Sequence, residues 1–277
     1  MAYEYPGAGA LDYSLCSYGG AGLLFRGPLA RLDEPYVAVL GGAATFGRLV
    51  ERPYPTLIAD RLGRGMVNLG IQNAGLDVYL NDETLLDIAR HAVAVVVQVP
   101  GALNHSNRFY SVHPRRNDRF LAASAALRVL FPKVDFTEFA FTRHLVAALI
   151  AADAERFVLV RQELRAVWQQ RMSALLSRLP PNVLLVHLRH AAATPGMVHP
   201  DLQTEPLFVD DRLLSRVRIK GAEVIDAIAS SAAQDQGVGE MFMDATEAAQ
   251  AALLPNPAHH REIADALVPV IETRFKS

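Results

Sequence analysis

One cysteine, one tryptophan and no long apolar run: these scarcities bound the chain before any motif does. A single cysteine, Cys16 among 277 residues, excludes an intrachain disulfide and any multi-cysteine metal site. A lone thiol reads first as a small buried hydrophobe and only second as a nucleophile. No apolar stretch approaches the roughly 20 residues of a membrane span, so no membrane partner is expected. The opening MAYEYPGAGALDYS has neither a basic start nor a continuous apolar run, so it does not read as a secretory leader, and the expected compartment is the cytoplasm. No HExxH and no Asp/His cluster is visible, so neither a metal nor a cofactor is expected.

The remaining composition is that of a globular protein, 51% hydrophobic and 20% charged, long enough for one large α/β domain over residues 1–277. Net charge is only −2, but it is unevenly spread. Between Gly101 and Asn182 there are 12 Lys and Arg against 6 Asp and Glu, whereas the rest carries 15 against 23. Such asymmetry marks an anionic ligand or partner, or else arginines on outer helix faces. No nucleic-acid module is visible and the chain is acidic, so nucleic acid ranks low as a partner. A homo-oligomer is left open.

Five short apolar runs read as strands: Tyr36–Leu40, Met66–Leu69, Val93–Val99, Val183–Leu188 and, more weakly, Met241–Met243. VAVVVQV and VLLVHL hardly alternate, as expected of strands covered on both faces. Helical patterns lie between them: Pro55–Leu62, a helix capped by Asn81 or Asp82 and ending at Arg90, Ala154–Leu179, Asp211–Ala233, and a last one from about Ala258 to Thr273. Alternating strands and helices predict a three-layer α/β/α domain with a five-stranded parallel sheet in flavodoxin-like order 2-1-3-4-5. About eighty residues separate strands three and four, far more than a crossover needs. A helical insertion at about 101–182 is therefore expected at the C-terminal sheet edge, with helices around Phe120–Leu130, Phe139–Ala151 and Ala154–Leu179. That is where open α/β sheets bind ligands.

VAVLGGAATFGRLV (37–50) brings a strand into a glycine turn. The spacing of Gly41, Gly42 and Gly47 does not fit a dinucleotide fingerprint, and Arg48-Leu49 stand where a P-loop needs Lys and Ser or Thr. The block Gly41-Gly42-Ala43-Ala44-Thr45-Phe46-Gly47, the Gly70 of VNLGIQNAG, Gly101-Ala102-Leu103-Asn104 and Pro257-Ala258-His259-His260 together resemble, in order and setting, the four blocks of the SGNH (GDSL-type) hydrolase superfamily. RLDEPYVAVLGG, VNLG followed by NAG, SNRFYSVHPRRNDRF and VDFTEF followed by FTRH more closely resemble an uncharacterised family of bacterial proteins defined by a domain of unknown function.

The superfamily resemblance implies an esterase or acyltransferase of O-acylated carbohydrate, with His260 as base and Gly70 and Asn104 as polarising donors. It also implies a pseudoenzyme, because Ala43 stands at the nucleophile position and Pro257 at that of the orienting aspartate. Thr45, two residues on, is either a replacement hydroxyl or a satisfier of turn amides. Ser106 is a second stray hydroxyl. His259 and His260 read either as a base at a helix start or as surface histidines beside a Pro-Asn-Pro turn. His187 and His190 fall on opposite faces of a strand, which argues against a metal shared between them.

The stretch NHSNRFYSVHPRRNDRF (104–120) sets Ser106, Asn107, Arg108, Arg115, Arg116 and Arg119 on a loop at the ligand edge, with donors suited to an anionic or carbohydrate ligand. The alternative is a structural hub in which Asp118, Asp135 and Glu138 pair with those arginines. Three functions remain open: an SGNH-like enzyme, a non-catalytic binder of an anionic ligand, and a protein–protein adaptor.

Overall fold

The computed structural model describes residues 11–191, 202, 204–217 and 222–275. Strand β1 (Tyr36–Gly41) is followed by a single helical turn, α1 (Ala43–Phe46), and by α2 (Tyr54–Leu62). Then come β2 (Gly65–Gly70), α3 (Leu76–Leu80), α4 (Glu83–Arg90) and β3 (Ala94–Gln98). The long basic segment holds β4 (Tyr110–Val112), β5 (Phe120–Ala123), α5 (Ala125–Leu130), α6 (Thr142–Ala152) and α7 (Ala154–Arg178). After it run β6 (Val183–Ala191), β7 (Thr204–Glu205), α8 (Asp211–Ser215), β8 (Glu223–Ile228), α9 (Ser231–Gln236), α10 (Ala248–Ala251) and α11 (Pro257–Phe275).

The parallel strands lie in the order β2-β1-β3-β6-β8, with two-residue β7 antiparallel at the end of β6. This is the 2-1-3-4-5 order in a three-layer α/β/α arrangement. The central runs carry it because both their faces are apolar. On one face Val37, Val39, Val96 and Leu184 pack against Ile58 of α2 and Ile263, Leu267 and Ile271 of α11. On the other, Ala38, Leu40, Val95 and Val97 meet Leu85 and Leu86 of α4 and Leu164, Trp168 and Leu175 of α7. Each fully buried aliphatic side chain contributes about 1.5–3 kcal/mol, so two such layers fix the sheet between its helices.

Helix starts follow their caps. Asp82 accepts from the Leu85 amide, Asp153 from Arg156, and Asn256 from His259, while Pro257 occupies the first position of α11, where a missing N–H costs nothing. Among the described residues no helix is long and apolar enough to cross a membrane.

Two expectations fail. The fifth strand is Glu223–Ile228, inside the span expected to be one helix over Asp211–Ala233, and Met241–Met243 is loop. EVIDAI sits at an exposed sheet margin with Glu223, Asp226 and Ile228 open to solvent, so it lacks the continuous apolar run of the buried strands. The helix expected around Phe120–Leu130 also begins as a strand. Its first four residues form β5, which pairs antiparallel with β4, and Ser124 then caps α5.

Gly70, ending β2, lies under α1: a Cβ there would sit 2.3 Å from the Phe46 nitrogen and 2.7 Å from the Thr45 carbonyl carbon. Both are backbone atoms that cannot swing aside. Gly70→Ala should therefore destabilise the protein by about 2 kcal/mol or more, at the overpacking scale. Gly42→Ala, with nothing within 4 Å of its Cβ, should be near neutral. Urea midpoints of the two variants check this, and equal midpoints would contradict the close approach.

Candidate functional site

Strand order reverses between β1 and β3, and a parallel sheet opens a crevice at that point beyond its strand ends. A cavity of about 740 Å³ lies there. Its floor comes from residues 42–44, 72–74 and 98–101, which follow β1, β2 and β3. Leu103, Asn104, Asp118 and residues 141–144 of the basic segment form one wall, and residues 205–207 and 253–255 help form the other.

The turn between β1 and α1 forms the innermost part of the floor. A helix start leaves backbone amides unsatisfied, and its N-cap, Gly42, has no side chain to meet them. Gln98, the last residue of β3, meets them instead. Its Oε1 accepts from the Gly42 amide at 3.1 Å, the Thr45 amide at 3.2 Å and the Thr45 hydroxyl at 2.7 Å. Two amides and the hydroxyl of the turn are thus satisfied by a neutral carbonyl of the protein itself. Thr45 is fully buried, and its Oγ1 also lies 2.7 Å from the Tyr54 hydroxyl, so this hydroxyl serves the turn.

Gly70 sits at the same sheet edge, but its amide donates to Asn68 Oδ1 at 2.9 Å, while Asn68 Nδ2 donates to the Thr45 carbonyl. His260 is behind the floor and does not line the cavity. It stacks on Tyr54, and its Nδ1 accepts from the Tyr54 amide at 3.0 Å. That bond places a lone pair on Nδ1, where an orienting carboxylate would need a proton. Burial, reinforced by His259 and Arg26, pushes the His260 pKa down to about 3. His259 is buried too, its Nε2 3.1 Å from the Ala227 carbonyl, so the pair does not lie on the surface.

Asn104 does line the cavity; its Oδ1 accepts from the Thr142 hydroxyl at 2.9 Å, which leaves Nδ2 as its donor. None of the four loop arginines reaches the cavity wall. Arg108 pairs with Glu163 at 3.1 Å and covers the Phe109 ring. Arg119 stacks 4.3 Å above Phe141, and Arg115 lies against Gly22. Arg116 is exposed. Asp135 is turned to the amide and hydroxyl of Thr137. Ser106 Oγ accepts from the Val112 amide, and Asn107 Oδ1 from those of Phe109 and Tyr110, so both shape the turn leading into β4.

Apart from Asn104, the polar residues of the wall drew no site assignment from the sequence. Arg143 and Glu205 form a close ion pair there, with Arg143 also donating to the Leu202 carbonyl. Asp118 has a buried Oδ1 with no hydrogen-bond partner, and burial raises its pKa against the fields of Arg119, Arg116 and Arg48. Trp168 donates its indole N–H to the carbonyl of Pro100, a floor residue, at 2.8 Å.

A family model described as "Domain of unknown function (DUF6473)" matches residues 1–275, and the chain belongs to that family. No curated protein matches the sequence. Among solved structures, a carbohydrate esterase family 2 enzyme with a carbohydrate-binding domain from Corynascus thermopiles (Myceliophthora fergusii) is similar at TM-score 0.45 and 12% identity, over 90% of this chain and 69% of that one. A family two carbohydrate esterase from Clostridium thermocellum, in complex with cellohexaose, is similar at 0.45 and 11%, over 93% and 69%. One from Cellvibrio japonicus is similar at 0.37 and 11%, over 91% and 64%. Scores of this size assign no residue and no activity to this chain.

Two buried histidines make stability pH-dependent. His260 titrates at about 3 and His105, whose Nε2 accepts from the Leu76 amide, at about 4, both lowered chiefly by burial from 6.5. Between those values and 6.5 the unfolded chain binds protons that the native one refuses. Stability is therefore fully present above 6.5 and falls as pH drops toward 4, each withheld proton adding a slope of about 1.4 kcal/mol per pH unit. Denaturant unfolding from pH 7.5 to 4.5 should show this loss, and His260→Gln should remove about half of the slope, leaving the part due to His105. A wild-type profile that stays level from 7.5 to 4.5 would mean that these histidines protonate in the folded state.

Proposed function

We propose that this chain is a non-hydrolysing relative of the SGNH enzymes that binds a small, neutral, hydroxyl-rich ligand of carbohydrate type in the cavity between β1 and β3. The observation that carries the binding reading is Asp118: a buried carboxylate oxygen with no protein donor, in the wall of a cavity of ligand size. Asp118 lines the cavity, and a sugar hydroxyl bound there donates to its carboxylate. Gln72, Asn73, Asn104 and Gln250 add amide groups, each able to give and accept, as vicinal hydroxyls require.

Neutrality of the ligand follows from how the charges are spent. Arg143 is compensated by Glu205, and the loop arginines lie off the cavity wall, so among the described residues no unpaired arginine or lysine lines the cavity for an anion. Absence of turnover follows from the turn. Ala43 has no nucleophile, and Pro257 provides no carboxylate for His260, whose Nδ1 accepts from the Tyr54 amide instead.

Thermal unfolding with a panel of neutral mono- and disaccharides tests the reading. A ligand at about 100-fold its Kd adds roughly 2.7 kcal/mol and raises Tm by a few degrees in a chain of this length. Asp118→Asn, which loses a charge-assisted bond, should weaken binding about 10- to 100-fold. Stabilisation by sulfate that disappears in Arg115→Ala/Arg116→Ala, with no response to any neutral sugar, would replace this reading by an anion site on the arginine loop.

The hydrolytic arm is separate. Wild type should leave p-nitrophenyl acetate untouched above a His260→Gln control, and Ala43→Ser should restore little. Wild-type turnover with covalent labelling by a serine-directed phosphonate would overturn the loss of chemistry.

A further inference from the structure

His187 near the end of β6, Asp226 on β8 and Asp211 in the first turn of α8 meet on the sheet face away from α11, outside the cavity wall. Their nearest ligand-type atoms, one from each side chain, all lie within 4.8 Å of one another. The separations are specific. His187 Nδ1 is 3.3 Å from Asp226 Oδ1 and 3.6 Å from Asp211 Oδ1. Two atoms each about 2.0–2.2 Å from one tetrahedral ion are roughly 3.4 Å apart.

An acidic cluster alone says nothing about a ligand; His187 is the independent observation. It is 2% exposed, and neither ring nitrogen makes a hydrogen bond. A buried imidazole ordinarily finds a partner for at least one nitrogen. Here Nδ1 faces two carboxylates without the alignment of a hydrogen bond, which suits a ring that offers a lone pair to something between the three groups.

Among the described residues Arg189 is the cation that contacts both carboxylates, and its geometry assigns it another part. Its Nη2 donates to Asp226 Oδ1 at 2.6 Å and its Nη1 to Asp211 Oδ2 at 3.3 Å, so it holds both carboxylates on the histidine side. Two carboxylates against one guanidinium leave a negative charge uncompensated. Asp211 and Asp226 are largely open to solvent, which gives an ion its way in.

We propose that His187, Asp211 and Asp226 form a binding site for a zinc-class divalent ion, completed by water, with Arg189 orienting the two carboxylates. One imidazole with two carboxylates is a donor set of borderline softness, fit for zinc rather than for calcium or magnesium. The site is separate from the cavity and stands or falls independently of what the cavity binds.

The full-length protein, stripped with a chelator and dialysed, is titrated with Zn²⁺ by calorimetry, and with Co²⁺ by visible absorption. One equivalent should bind with micromolar or tighter Kd, and the Co²⁺ complex should show the strong bands of a low-coordinate site. Asp226→Asn and Asp211→Asn, both at solvent-open positions, should each weaken binding at least tenfold, and His187→Gln should abolish it. His113→Gln, in the exposed β4–β5 loop, should change nothing. No saturable binding below about 100 μM, or binding that both Asp variants keep intact, would overturn the assignment.

Discussion

Three hydrogen bonds converging on one amide oxygen, Gln98 Oε1, hold the centre of this fold. A four-residue helix cannot cap itself when its N-cap is glycine, and the end of β3 supplies the cap from across the sheet. The same contact ties Thr45 to Gln98, Thr45 to Tyr54, and the Tyr54 amide to His260. A neutral polar thread thus runs from β3 through α1 and α2 to α11, behind the cavity floor. Because no member carries a charge, each bond is made inside the core without the desolvation cost of an ion pair. The turn is rigid because its donors have permanent acceptors.

The central strands were legible because they are buried on both faces, so VAVLG and AVVVQ show as unbroken apolar runs. β8 was not. Its alternation of Glu223, Asp226 and exposed Ile228 with inward residues, after Leu213 and Leu214 of α8 and Val217 just beyond it, mimics helical spacing across the real break. Residues 218–221 of that break lie outside the described structure, as does the His190 side chain.

The candidate site was legible in its location and, Asn104 apart, not in its polar members. Strand order placed the crevice after β1 and β3, and the cavity is there. Gln98, however, is only a polar letter at the end of an apolar run, and nothing local says that its partner is a glycine turn 56 residues earlier. Arg143 and Glu205 are 62 residues apart, and Asp118 looks like a counter-ion among arginines. The arginine loop misled for the opposite reason. Its guanidiniums cluster in sequence, but the β4–β5 hairpin sends them to Glu163, Phe141 and the Gly22 backbone instead of to one ligand. Likewise His187 found its carboxylates on other elements, where spacing along one strand cannot point.

The bond between Trp168 and the Pro100 carbonyl has a spectroscopic consequence. The chain contains one tryptophan, and it is fully buried with its indole N–H tied to the cavity floor. Emission excited at the red edge of protein absorbance therefore comes from a single fluorophore whose local field includes the carbonyl of a floor residue. The molecule carries its own optical reporter at the one place where an occupant would alter the polarity, and no label need be introduced to read it.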